Sequence, residues 1–144
     1  MDKETAQLIA GLKHEDWRIR LKSVSALGNV RMDESVAALL QNLDDENEIV
    51  RKEVIPALGN IGSLAKAAVP LLIPKLTTTD PEMKRSVVYT LGKIGPSASS
   101  AIPNLVEELR HAEVEHRSTI AWALGIICVE NIPRLIELLA DGSS

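Results

Sequence analysis

Phenylalanine is absent from this chain of 144 residues, and its only aromatic residues are Trp17, Tyr89 and Trp122. A compact globule of this length usually fills its centre with rings. Thin stacked layers of helix need only Leu, Ile, Val and Ala, so the shortage of aromatics favours a layered stack. A single cysteine, Cys128, excludes an internal disulfide and suits a reducing compartment. No excess of basic charge is present: 16 Lys and Arg against 20 Asp and Glu give a formal net charge of −4. Bulk attraction to phosphate backbones or anionic lipid is therefore not expected. No hydrophobic run approaches the ~20 residues of a membrane span. The short apolar stretch Leu8-Ile9-Ala10, with its acidic neighbours, does not read as a signal peptide. A cytoplasmic location is the default expectation, with neither nucleic acid nor membrane as partner.

Missing also are a phosphate-binding loop, zinc-ligand spacing and any Ser, His and Asp arrangement for nucleophilic chemistry. The sequence thus offers no catalytic residue, no metal site and no cofactor site. His111 and His116 lie near Glu113 and Glu115, but His111 and Glu115 straddle an expected helix break and no repeated ligand set accompanies them. Cys128 ends an apolar helix and reads as a buried, inert thiol.

What the chain does have is repetition. Ala26-Leu27-Gly28, Ala57-Leu58-Gly59, Thr90-Leu91-Gly92 and Ala123-Leu124-Gly125 recur at intervals of about 33 residues, the signature of a solenoid. Aligning on the glycines brings further columns into register. Eight residues earlier stands a base: Arg20, Arg51, Lys84 or Arg117. Four before the base is Asp16, Asn47, Asp80 or Glu113, the first three being good helix N-cap types. In the second copy Val50, Val54, Ala57, Leu58 and Ile61 trace one helical stripe, and the helix is expected to close near Gly62, as its counterpart closes near Gly95. A second helix pattern alternates with the first and carries an apolar-Pro pair near its start, in Val69-Pro70, Ile102-Pro103 and Ile132-Pro133.

The expected organisation is one all-α domain over 1–144. It holds helix pairs near 4–30, 33–61, 63–94 and 97–127, and a terminal helix near 130–140. These residues resemble HEAT repeats, specifically the short HEAT-like subtype of the phycobilisome-lyase kind. That family's unit runs apolar-Pro-x-Leu, then Asp-x-x-Val-Arg-x-x-Ala-x-x-Ala-Leu-Gly-x-Ile, and Asn47 to Ile61 follows its second half closely. The resemblance implies a right-handed α-α superhelix of about four and a half repeats. In a HEAT-repeat relative, deoxyhypusine hydroxylase, His-Glu pairs occupy positions held here by Leu21-Lys22, Lys52-Glu53, Arg85-Ser86 and Ser118-Thr119, so its di-iron chemistry is not implied.

Function is sought where the repeats disagree. The basic column is expected to pair with the acidic cap column, Asp16, Asn47, Asp80 and Glu113, of neighbouring repeats, a structural ladder. The glycines are expected to let helices approach closely. Three residues before each glycine stand Ser25, Pro56, Tyr89 and Trp122, pointing away from the apolar stripe. The resemblance places that column on the concave face. Lys52, Arg85 and Ser118 flank it on one side and Asn29, Asn60, Lys93 and Ile126 on the other. The expected groove is basic to polar at its middle and aromatic toward its C-terminal end, with Pro56 bending its helix. Exposed aromatics of this kind anchor interfaces. The leading expectation is a non-catalytic scaffold that binds a protein or peptide there. The alternatives are an accessory subunit of a bilin lyase or other chromophore-handling enzyme and, less favoured by the charge, a nucleic-acid binder. The apolar C-terminal edge, from Leu138 on, is either a cap or the cut end of a longer array, and could pair with a second copy.

Overall fold

A computed structural model describes residues 1–130 and 132–141. Asn131, within the expected terminal helix, and the last three residues lie outside the described part. Nine α-helices and four short 3-10 segments make up the described chain, with no strand among the described residues. The α-helices are α1 (Lys3–Gly11), α2 (Trp17–Leu27), α3 (Asp33–Leu40), α4 (Glu48–Ile61), α5 (Val69–Leu72), α6 (Pro81–Ile94), α7 (Ile102–His111), α8 (Val114–Ile127) and α9 (Ile132–Asp141). The all-α solenoid is as expected. Helices α2, α4, α6 and α8 stack successively to form one layer, and α1, α3, α5, α7 and α9 lie in the other.

Local chemistry sets where each stacked helix starts. Asp16 accepts from the amide of Arg18, Asn47 from Ile49 and Val50, and Asp80 from Glu82 and Met83. Each cap satisfies donors that the first turn leaves free. Glu113, fourth in the column, makes no such bond. A second feature of the same loops repeats: the residue two before the cap accepts the cap residue's own amide. His14 does so for Asp16, Asp45 for Asn47 and Thr78 for Asp80.

Gly62 and Gly95 end α4 and α6 with φ of 78° and 81° and ψ of −137° and −146°. This is not the left-handed helical region expected of a cap, but an extended region with positive φ that only glycine enters cheaply. Each glycine opens a 3-10 segment, Gly62–Ala68 or Gly95–Ala101, that leads into the next apolar-Pro pair. In the third repeat the expected single first helix is broken. Pro74 has no amide to bond back along the helix, so α5 gives way to a 3-10 stretch, Ile73–Thr77. The stretch from Glu48 to Thr77 is apolar enough by composition to resemble a membrane span. It is instead a helix and a 3-10 and helical return folded back at Gly62, with half of its most apolar window buried.

One continuous core runs between the layers, through Leu27, Leu39, Leu58, Leu72, Leu91, Leu105 and Ile127 among others. The glycine column controls how the stacked helices meet. A β-carbon built on Gly28 would lie 3.0 Å from the Ala57 β-carbon and 3.1 Å from its α-carbon. On Gly59 it would lie 3.2 Å from Thr90 Oγ1 and 3.4 Å from the Thr90 α-carbon. The buried Thr90 hydroxyl donates to the carbonyl of Ile55, 3.1 Å away, so Thr replaces Ala in this column without an unsatisfied group. The outer surface of α2, α4, α6 and α8 carries Ser25, Pro56, Tyr89 and Trp122, the column that the family resemblance expects on the concave face. Gly125 has no atom within 4 Å of such a β-carbon, and Ile132, Ile136 and Leu139 of α9 are exposed.

Candidate functional site

The basic column does not reach the cap column. Arg20 donates from Nε and Nη2 to both carboxylate oxygens of Asp45, each at 2.9 Å, and from Nη1 to the carbonyls of His14 and Glu15. Arg51 donates to the carbonyls of Asp45 and Glu46, and Arg117 to that of Ala112. Lys84 pairs with Glu108 of the next repeat at 2.8 Å. Asp16, Asn47 and Asp80 already spend a side-chain oxygen on helix amides, whereas Arg20, Arg51 and Arg117 lean back over the loop before their own helix. Asp45 was not singled out from the sequence, yet it is the hub. Besides Arg20 it accepts from the Asn47 amide and from Asn42 Nδ2. Burial alone would raise its carboxyl above the ordinary range, but the Arg20, Asn47 and Asn42 hydrogen bonds outweigh that and hold it below. Among the described residues, the only cap reached by a base of the neighbouring repeat is Asp80, 3.7 Å from Lys52.

On the outer surface of the stacked helices, Tyr89 of α6 and Trp122 of α8 stand with ring centroids 5.0 Å apart and planes inclined by 15°. They pack on each other and still remain exposed, Tyr89 by 47% and Trp122 by 38%. Gly92 makes this possible, since a β-carbon there would lie 2.5 Å from Trp122 Cζ3 and 3.1 Å from the Ala123 α-carbon. The indole therefore lies across the surface of α6, over Gly92 and against Tyr89. Gly92→Ala is expected to push it off Tyr89, removing a stack worth about 0.5–1.5 kcal/mol. The check is a red-shifted Trp122 emission in a Trp17→Phe background.

The rest of the expected groove divides. Lys93 holds its ammonium 5.9 Å from the Tyr89 ring centroid, and Arg85 is exposed. Neither has a carboxylate within ion-pairing distance among the described residues. Lys52 is not free: Glu48 lies 3.1 Å away and Asp80 beyond it, and the hydrogen bond with Glu48 raises the lysine above its ordinary value. Ser25 donates to Glu53 at 3.1 Å, and Ser118 is exposed. Helix α4 runs on through Pro56 to Ile61, and Pro56 lines a hollow of about 340 Å³ with Ile49, Lys52, Glu53, Glu82, Met83 and Ser86. With Lys52 neutralised and Glu53 and Glu82 in its wall, the middle of the groove is not basic as expected. A neighbouring hollow of about 380 Å³ is lined by Glu82, Arg85, Ser86, Tyr89 and Thr119.

Chemistry elsewhere is sparse. His111 meets Glu107 at 2.9 Å, and among the described residues no group of three or more His, Cys, Asp or Glu is placed to hold a metal ion. Cys128 is buried, and burial raises its thiol.

A two-layer helical solenoid with an exposed aromatic stack on one face defines a helical-repeat protein. The sequence profile of HEAT repeats matches residues 5–74 and again 69–144, so the chain belongs to the HEAT-repeat family. Among solved structures it is similar to an engineered protein with a TM-score of 0.73, at 21% identity over 95% of this chain and 68% of that one. A second engineered protein gives 0.70 at 23% identity, over 94% of this chain and 41% of that one. The complex of CpcE and CpcF of phycocyanin lyase from Nostoc sp. gives 0.70 at 23% identity, over 100% of this chain and 60% of that one. This chain thus spans less than two thirds of the length of the last two. At these identities the likeness speaks for the fold. No curated protein matches the sequence.

Proposed function

We propose that the chain is a non-catalytic scaffold that holds a partner protein or peptide on its concave face, with Tyr89 and Trp122 as anchors. The observation that carries this reading is the half-exposed ring stack. Two large apolar side chains share one column of a repeat that otherwise has no aromatic there, and Tyr89 lines the hollow between α6 and α8. Rigid aromatics lose little entropy on binding and supply most of an interface's energy. Arg20, Arg51, Lys84, Arg117 and the caps hold the surface in shape and take no part in contact.

The test is selection of binders from a displayed random-peptide library on the folded protein. Selected peptides are expected to lose at least about 2 kcal/mol of binding, roughly thirtyfold, on the Tyr89→Ala/Trp122→Ala variant. Peptides that bind this variant unchanged would place recognition elsewhere. A second reading, accessory subunit of a chromophore-handling enzyme, draws on the likeness to the Nostoc lyase complex over the whole chain. Mixing the protein with free bilin and recording no absorbance shift would remove it.

A further inference from the structure

Resting on that concave-face reading, we infer that the occupant of the Tyr89–Trp122 platform is an acidic peptide segment carrying an aromatic side chain. Arg85, Tyr89 and Lys93 follow one another at intervals of four residues on α6, so their side chains form one line along the exposed face. The ring stack at the centre of that line is apolar and flat. A cation stands on either side of it. The Lys93 ammonium lies over the tyrosine ring, 5.9 Å from its centroid, and Arg85 lines the hollow beside it with Ser86 and Thr119.

Most other bases of the stacked helices are engaged. Arg20 is locked to Asp45, Lys84 to Glu108 and Lys52 to Glu48, while Arg51 and Arg117 are bound to carbonyls. Arg85 and Lys93 are the exceptions on α6, with their hydrogen-bonding capacity turned to solvent. A carboxylate docked beside the rings meets a guanidinium or an ammonium whose field is strengthened by the low-polarity surface next to it. A planar side chain between two such carboxylates completes the fit by lying on Trp122 or Tyr89. The surroundings fix the direction of this preference. Glu82, one turn before Arg85, lines the same hollow, and Glu53 and Glu82 line the next one. The acidic part of the ligand is therefore confined to the Arg85–Lys93 line and is repelled further toward α4. The chain's net charge of −4 opposes acidic ligands everywhere else, so recognition depends on this local pair of cations.

The experiment uses fluorescein-labelled peptides read by anisotropy: a glutamate-rich peptide with one phenylalanine, the same peptide with serine for phenylalanine, and a lysine-rich counterpart. The first is expected to bind wild type, to weaken about tenfold on Arg85→Gln/Lys93→Gln, and to weaken further as salt rises. The serine peptide is expected to bind more weakly than the phenylalanine one. Both substitutions fall on exposed side chains, and an unchanged thermal midpoint by circular dichroism keeps a binding loss from being a folding loss. A lysine-rich peptide that binds as tightly as the glutamate-rich one, or a glutamate-rich peptide indifferent to Arg85→Gln/Lys93→Gln, would overturn the inference. If the library yields neutral or basic peptides that need Tyr89 and Trp122, the acidic occupant fails and docking on the concave face stands. If selected peptides ignore the two rings, both fail.

Discussion

Replacing Arg20 with alanine is expected to lower the folding free energy by about 3–5 kcal/mol, the cost of stranding one partner of a buried pair. Arg20 is 6% exposed, and the Asp45 side chain is 5% exposed. The guanidinium does three things at once: it grips both Asp45 oxygens, bonds the His14 and Glu15 carbonyls of its own loop, and reaches Glu46 at 3.3 Å. It thereby ties the loop before α2 to the loop before α4. Removing it leaves a carboxylate in a site too dry to solvate it. Arg117, in the same column, makes one bond to the Ala112 carbonyl at an exposed position. Arg117→Ala is therefore expected to cost about 1 kcal/mol or less. Equal costs for the two would show that the Arg20 site is not the latch described.

The same pair predicts an acid limb. Hydrogen bonds hold the folded Asp45 carboxyl below its ordinary value against the opposing effect of burial. A group with a depressed folded pKa contributes stability that is present above its unfolded value, about 3.9, and is lost as pH falls through the folded one. Arg20, raised by its bond to Asp45, stays charged across this range and adds no slope. Urea midpoints should therefore fall below about pH 4 in wild type, and Asp45→Asn should be less stable at neutral pH with a flatter acid limb.

Opposite signs are expected from two glycines in one column. Gly28→Val forces branched carbons against the Ala57 backbone, where even a β-carbon would sit 3.1 Å from its α-carbon. Overpacking of this kind costs about 1–3 kcal/mol or more, because neither helix can move without shifting the stack. Gly125→Ala meets nothing within 4 Å and replaces a helical glycine, so it should stabilise by about 0.5–1 kcal/mol. Thermal or urea unfolding of both variants reads the contrast. A stable Gly28→Val, or a damaging Gly125→Ala, would mean that the column does not set the helix spacing.

Repetition made the fold legible. A four-fold recurrence of Leu-Gly fixes the register, and once register is known the caps, the apolar stripe and the helix pairing follow from spacing alone. The broken first helix of the third repeat was harder. Pro70 and Pro74 are both visible, but which of the two ends the α-helical turn depends on how the segment packs. The ladder misled for a different reason. Column alignment suggests partners at conserved spacing, yet Arg20 takes Asp45, which stands in the column of His14, Thr78 and His111. A hub that occurs in one repeat leaves no periodic trace. Asn42 and Asp45, three residues apart before a cap, were the available sign.

The concave column was legible in part. Tyr89 and Trp122 share a position, and a shared position in adjacent repeats makes a contact. That they would stack nearly parallel depends on Gly92 leaving room for the indole, a three-dimensional matter. The charge of the groove was not legible. A Glu48–Lys52 pair four residues apart could be read from spacing. The approach of Asp80 from the next repeat to Lys52, and the lack of a carboxylate beside Arg85 among the described residues, could not.

The most direct test of the account is to map amide shift changes by NMR while a library-selected peptide is added to the labelled protein. The account predicts changes concentrated on α4, α6 and α8 around Pro56, Arg85, Tyr89, Lys93 and Trp122, with the loops of Arg20 and Asp45 silent. Changes concentrated instead on α3, α5 and α7, on the opposite layer, would contradict it.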